Sequence, residues 1–235
     1  MQTDCMMQSV CRKVGRMPLA LYGHLFSSYT HKVLIALYEN DTRFEFRQIS
    51  PDTPEHMAEW LRRWPIRKFP LLVDGERQVA ETSVIIEYLQ IVHPGRVRLI
   101  PEEPMAALDV RFLDRFFDLH VMDAAQHAVD GAITGDPVKR EEGLAKSADK
   151  LERAYGWLEG RLADGQWAAG ADFTMADCAA APSLFYADWV HPISDAYPVL
   201  RGYRSRLLAR PSFARAVDDA RPYRPLFPLG APDRD

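Results

Sequence analysis

Cysteine is scarce. The 235 residues contain three, Cys5, Cys11 and Cys178. That number is odd, and the spacings fit neither a disulfide framework nor a zinc site. A reducing, cytoplasmic setting is the expectation. Long apolar runs are missing too: none reaches the roughly 18 residues of a transmembrane helix, so no membrane span is expected. Basic charge is not in excess. Lys and Arg number 29 against 33 Asp and Glu, a formal charge of −4, which gives no field to hold a phosphate backbone and argues against a nucleic-acid partner. The first 16 residues carry no continuous apolar stretch and do not read as a secretory signal. No Walker loop, dinucleotide fingerprint or zinc-protease motif occurs. What remains is ordinary: 47% apolar and 26% charged residues, which excludes a disordered or fibrous chain.

The hydrophobic pattern divides the chain in two. Residues 19–23 form a short apolar strand ending in glycine, and Val33, Leu34, Leu37 and Tyr38 then recur at helical spacing. Residues 44–49 alternate apolar and polar, a second strand. Strand, helix, strand in that order implies a right-handed crossover and a parallel pair. A polar connection with helical content follows over 51–64. Leu71-Leu72-Val73 is a third strand, Asp74-Gly75 a hairpin signal, and Gln78-Val79-Ala80 the antiparallel return. Residues 82–92 read as a helix. Beyond His93-Pro94-Gly95 only helical patterns appear: 105–132, 138–162, 175–190, 199–209 and 212–220. The predicted architecture is an α/β thioredoxin-like domain (βαβ then ββα) over 18–94, a linker over 95–104 and an all-helical domain over 105–222. A disordered extension is expected over 1–17 and a proline-rich tail over 223–235, its last five residues loose.

Three stretches carry chemistry. Phe69-Pro70 opens the third strand. Glu81-Thr82-Ser83 opens the following helix, whose first amides lack intrahelical partners and suit a carboxylate. Leu25-Phe26-Ser27-Ser28-Tyr29 lies at the start of the first helix, where a hydroxyl either caps the helix or serves a reaction. In the second half, Thr174 and Asp177 form a capping-box variant ahead of an apolar helix that carries Cys178, read as a buried inert thiol. The arginines at 201, 204, 206 and 210 read as a solvated face.

In order and motif, residues 19–222 resemble the cytosolic glutathione transferase family, and within it the bacterial, serine-type members. The resemblance implies a cis Phe69–Pro70 bond, with the Phe69 backbone pairing to the cysteinyl unit of glutathione. It implies that Glu81 meets the γ-glutamyl ammonium, Thr82 its carboxylate, and Lys68 the glycyl carboxylate. The serine-type pattern runs Ser, Pro, an aromatic, two residues, a basic residue and Val. Aligned on Val33 it places the catalytic serine at Ser27, with Ser28 in the proline position and as the alternative. The absence of cysteine from this loop argues against a thiol-dependent member. Phe117 and His120 are the expected walls of the pocket for a hydrophobic electrophile. Glutathione is then a cosubstrate, no metal or other cofactor is implied, and a homodimer is expected. The resulting activity is transfer of the glutathione thiolate to a small electrophile, or reduction of a hydroperoxide. The same fold also hosts non-catalytic binding or regulatory proteins.

Overall fold

A computed structural model describes residues 19–235. The expected extension over 1–17, with Cys5 and Cys11, lies outside the described residues. Four strands form one mixed sheet of order β2-β1-β3-β4. β1 (Ala20–Gly23) pairs parallel with β2 (Glu45–Gln48) and antiparallel with β3 (Leu71–Asp74), which pairs antiparallel with β4 (Arg77–Ala80). Gly75, with φ of 60°, makes the β3–β4 turn. Strand side chains alternate between two faces, and both faces are covered. Leu21, Leu72 and Val79 meet α1 (Ser28–Glu39) and α3 (Thr82–Val92) through Val33, Leu34, Leu37, Ile85 and Leu89. Ala20, Tyr22, Leu71 and Val73 meet Trp60 of α2 (Pro54–Arg63) on the other side.

The remaining helices enclose a larger core around α7 (Met175–Val190), which is buried over all but its last residue. A helix apolar on every side belongs at the centre of a bundle. Thr174 and Asp177 make the expected reciprocal cap, and the Asp177 carboxylate also accepts from Ala168 N at 2.8 Å and the Tyr203 hydroxyl at 2.7 Å. Cys178 is fully buried, and that burial pushes its thiol pKa well up, so it is inert. Around it lie α4 (Pro104–Phe116), α5 (Asp123–Ile133), α6 (Pro137–Arg161), α8 (Pro198–Leu208) and α9 (Pro211–Ala220).

Three features depart from the sequence reading. The single helix expected over 105–132 is α4 and α5 joined by a π-helical turn at Phe117–Met122. The wider turn alters which residues face inward. The arginine stretch is not a solvated face throughout: Arg204 is largely buried and pairs with Asp188 at 3.1 Å, and Arg210 pairs with Glu39 at 2.7 Å. The end of the tail is engaged too, with Arg234 paired to Asp188 and Asp235 to Arg221 and Arg224.

Candidate active site

The loop between β1 and α1 is held on several sides. Gly23 lies so close to α1 that a Cβ there would sit 2.7 Å from Thr30 Oγ1, so the chain turns tightly. Ser27 caps α1: its Oγ accepts from Thr30 N at 3.3 Å, which leaves the hydroxyl proton to donate elsewhere. His31, fully buried, donates from Nε2 to the Leu25 carbonyl at 2.6 Å. Burial lowers its pKa to about 4, so the ring is neutral at physiological pH and acts as a strut. From the helical domain, the Tyr186 hydroxyl donates to the Phe26 carbonyl at 3.0 Å.

Two clefts flank this loop. The first, of about 650 Å³, is lined by several charged side chains and gathers Lys68, Phe69, Pro70, Glu81 and Thr82, five of the seven residues expected to contact glutathione; Ser27 and Ser28 are not among its walls. The Phe69–Pro70 bond is cis, and Trp60 Nε1 donates to the Lys68 carbonyl at 3.3 Å just before it. Glu81 precedes α3 at a φ of 67°, in the left-handed region rarely entered by a residue with a side chain. Its side chain is exposed, and its carbonyl accepts the first helical bond from Ile85 N at 2.8 Å. The second cleft, of about 300 Å³, is mostly apolar. Ser27 and Ser28 line it, with Phe26, Met122, Tyr186, Val190 and Phe227. Tyr29 lines both clefts. Its phenol pKa is raised to about 12 by burial and by the charges of Asp118, Asp123 and Glu81, so it stays protonated.

Beneath the polar cleft lies a buried ionic cluster that links the domains. Lys32 Nζ from α1 sits 2.6 Å from Asp114 and 2.7 Å from Asp118, both nearly out of contact with solvent. Ser83 Oγ donates to Asp114 at 2.6 Å and accepts from Lys32 at 3.1 Å. Arg115 reaches Asp118 from the cleft side.

Two sequence patterns account for most of the chain. The pattern of the glutathione S-transferase N-terminal domain matches residues 17–90, and that of the C-terminal domain matches residues 141–206. Together they span more than half of it. The chain belongs to the glutathione S-transferase family. A probable maleylacetoacetate isomerase of Vibrio cholerae is 29% identical over 213 residues, covering 88% of this chain and 98% of its own. A glutathione S-transferase of Hyoscyamus muticus is 25% identical, over 86% of this chain and 99% of its own. In architecture the transferase resembles a glutathione transferase homologue from Drosophila mojavensis solved with bound glutathione. That likeness has a TM-score of 0.75 at 24% identity and covers 88% of this chain and 94% of the other.

Phe117 and His120, the expected electrophile walls, line neither of the two clefts. Phe117 is fully buried, facing Tyr203 across the core, on the same helix face as the buried Val110 and Leu113. His120 is exposed and lines a separate hollow with Phe116, Lys150 and Trp157, outside both clefts that flank the loop. Sequence reasoning missed Tyr29, Tyr186 and Phe227 as walls and Asp114 and Asp118 as the cleft floor. Only the last two left a signal: two carboxylates four residues apart share a helix face and need a cation.

Proposed function

We propose that this transferase binds glutathione in the polar cleft, holds its sulfur as thiolate with the Ser27 hydroxyl, and delivers it to an apolar electrophile in the adjoining pocket. The observation that carries the reading is that Tyr29 stands in the walls of both clefts, with Ser27 in the apolar one. Phe69 lends its backbone to the cysteinyl unit and Lys68 its charge to the glycyl carboxylate. Glu81 takes the γ-glutamyl ammonium, and Thr82 with the unpaired amides of the α3 N-terminus takes the carboxylate. Glutathione is the cosubstrate, and no other cofactor is required. A new carbon–sulfur bond forms as the electrophile releases its leaving group or accepts the electron pair. The Tyr29 phenol, protonated at neutral pH, donates hydrogen bonds there and does not act as a base.

The quaternary reading is a homodimer in the cytoplasm. Met105, Leu108 and Phe112 recur on one exposed stripe of α4, Val84 and Ile91 on one of α3, and Trp157 stands beside Phe112. Arg111 bonds Glu87 at 2.8 Å and ties the two helices into one face. An apolar face of this kind suits a second copy.

The decisive experiment is a pH–rate profile with a general aryl halide. A free thiol with a pKa of about 8.5 is only a few per cent thiolate at pH 7. One hydrogen bond to the charged sulfur, aided by the helix N-terminus, lowers that pKa by roughly one to two units. Ser27→Ala should cut turnover at neutral pH roughly 10- to 100-fold, and the loss should shrink as pH rises. Losing the cap also costs about 1 kcal/mol of stability, so rates are taken on folded protein. Ser28→Ala should be mild. A large defect in Ser28→Ala beside a normal Ser27→Ala moves the assignment one residue, and two normal variants end the serine reading.

A further inference from the structure

We infer, on the placement of the γ-glutamyl unit proposed above, that Arg115 of the helical domain is a further binding residue for glutathione, its guanidinium closing on the γ-glutamyl carboxylate over the start of α3. Helices α3 and α4 run antiparallel where they meet, and two arginines of α4, one turn apart, face two residues of α3, also one turn apart. The first pair is complete. Arg111 holds the Glu87 carboxylate with both arms, Nε to Oε1 at 2.8 Å and Nη2 to Oε2 at 3.0 Å. The second is not. Arg115 stands in the corresponding place, but the α3 residue it faces is Ser83, whose Oγ accepts from Nη2 at 3.3 Å and carries no charge. Where the first arginine meets a carboxylate of its own chain, the second meets only a hydroxyl, beside an open cleft.

The donors there are not used up. Arg115 turns Nε to Asp114 at 3.4 Å and Nη2 to Asp118, and its Nη1 has no partner among the described residues. A guanidinium can hold one carboxylate with one edge and offer another to a ligand, which the compact Lys32 ammonium cannot do as well. Thr82 gives a second, independent sign. It is 7% exposed and lines the same cleft, yet its hydroxyl has no partner among the described residues. A buried hydroxyl, a spare guanidinium edge and the first amides of α3 thus gather at one end of the cleft, and all of them suit a carboxylate. Charge balance agrees. Lys32 and Arg115 already offset Asp114 and Asp118. The γ-glutamyl unit is a zwitterion, so it enters without adding net charge.

Calorimetry with glutathione and with 4-aminobutyryl-cysteinylglycine separates this contact from every other, because the second peptide is glutathione with that one carboxylate replaced by hydrogen. The parent should prefer glutathione roughly 10- to 100-fold. Arg115→Gln should weaken glutathione about tenfold, since the half-exposed side chain sets the lower end, and should leave the second peptide within about twofold. Arg115→Lys, which keeps a charge beside Asp118 but gives up the fork, should lose about threefold on glutathione alone. Equal weakening of both peptides overturns the inference and leaves Arg115 as a brace between α3 and α4. Unchanged glutathione affinity in both variants overturns it as well. A parent that binds the two peptides alike removes the carboxylate from the start of α3, and with it the placement of the γ-glutamyl unit itself.

Discussion

Replacing Lys32 by Met keeps the reach of the side chain and removes the charge from the cluster beneath the glutathione cleft. Lys32 is 1% exposed, and its two carboxylate partners, Asp114 and Asp118, are buried with it. Removing one member of a buried ion pair costs about 3–5 kcal/mol, since the remaining charge is left without compensation. Arg115 still reaches Asp118 and, at 3.4 Å, Asp114, but its side chain is half exposed. The lower figure, about 3 kcal/mol, is therefore expected, or a fall in Tm of roughly 6–12 °C for a chain of this length. The pH dependence is specific. Burial holds the Asp118 pKa above its usual 3.8, with the Lys32 charge opposing that rise. A carboxyl whose folded pKa is raised binds more protons folded than unfolded, so its contribution to stability grows as pH falls through the folded pKa towards the unfolded value. Without Lys32 the rise is larger. The deficit of Lys32→Met should be greatest near neutrality and should shrink on acidification. Thermal unfolding between roughly pH 5 and pH 8 reads both. Adding Asp114→Asn and Asp118→Asn should restore most of the loss, since removing a whole buried ion cluster is often neutral. An unchanged Tm at neutral pH, or a deficit that deepens in acid, refutes the assignment of Lys32 as the counter-charge.

Glu81→Gln should weaken glutathione about 10- to 100-fold, the weight of one charge-assisted hydrogen bond of roughly 1.5–3 kcal/mol. Calorimetry that finds equal affinity puts the γ-glutamyl end elsewhere. Phe112→Glu should turn a dimer into a monomer by placing charge in the exposed α3–α4 face. Sedimentation of the parent itself as a dilute 26.8 kDa monomer removes the dimer.

Local signals in the sequence were sound where the chain's own neighbours decide the outcome. The limits of α7 and the β3–β4 turn follow from cap, periodicity and glycine, and the residues of the polar cleft were found because Pro70 and Glu81 flank one hairpin. Phe117 shares a helix face with Val110 and Leu113, all fully buried, so the helical period itself directs it to the core; its expected place in the cleft came from the resemblance alone. The other failures are tertiary. Lys32 reads as a motif's basic residue, and only the packing of α1 on α4 makes it a buried counter-ion. Arg204 and Arg234 belong to an exposed-looking arginine series and a loose-looking tail until both meet Asp188. The apolar pocket draws walls from positions 26 to 228, a distance over which periodicity carries no information.

The bond from Tyr186 to the Phe26 carbonyl bears on how this protein can be recombined. The segment carrying Ser27 belongs to the first domain by sequence, yet one of the supports that fix its shape comes from the second. Chimeras joining this α/β half to the helical half of a relative would inherit both patterns of fold and still lack a matching prop, unless the incoming helix offers a hydroxyl at the equivalent point. The halves have to be inherited as a matched pair. Libraries built by exchanging them should be screened first for the partner of Phe26 and only then for substrate.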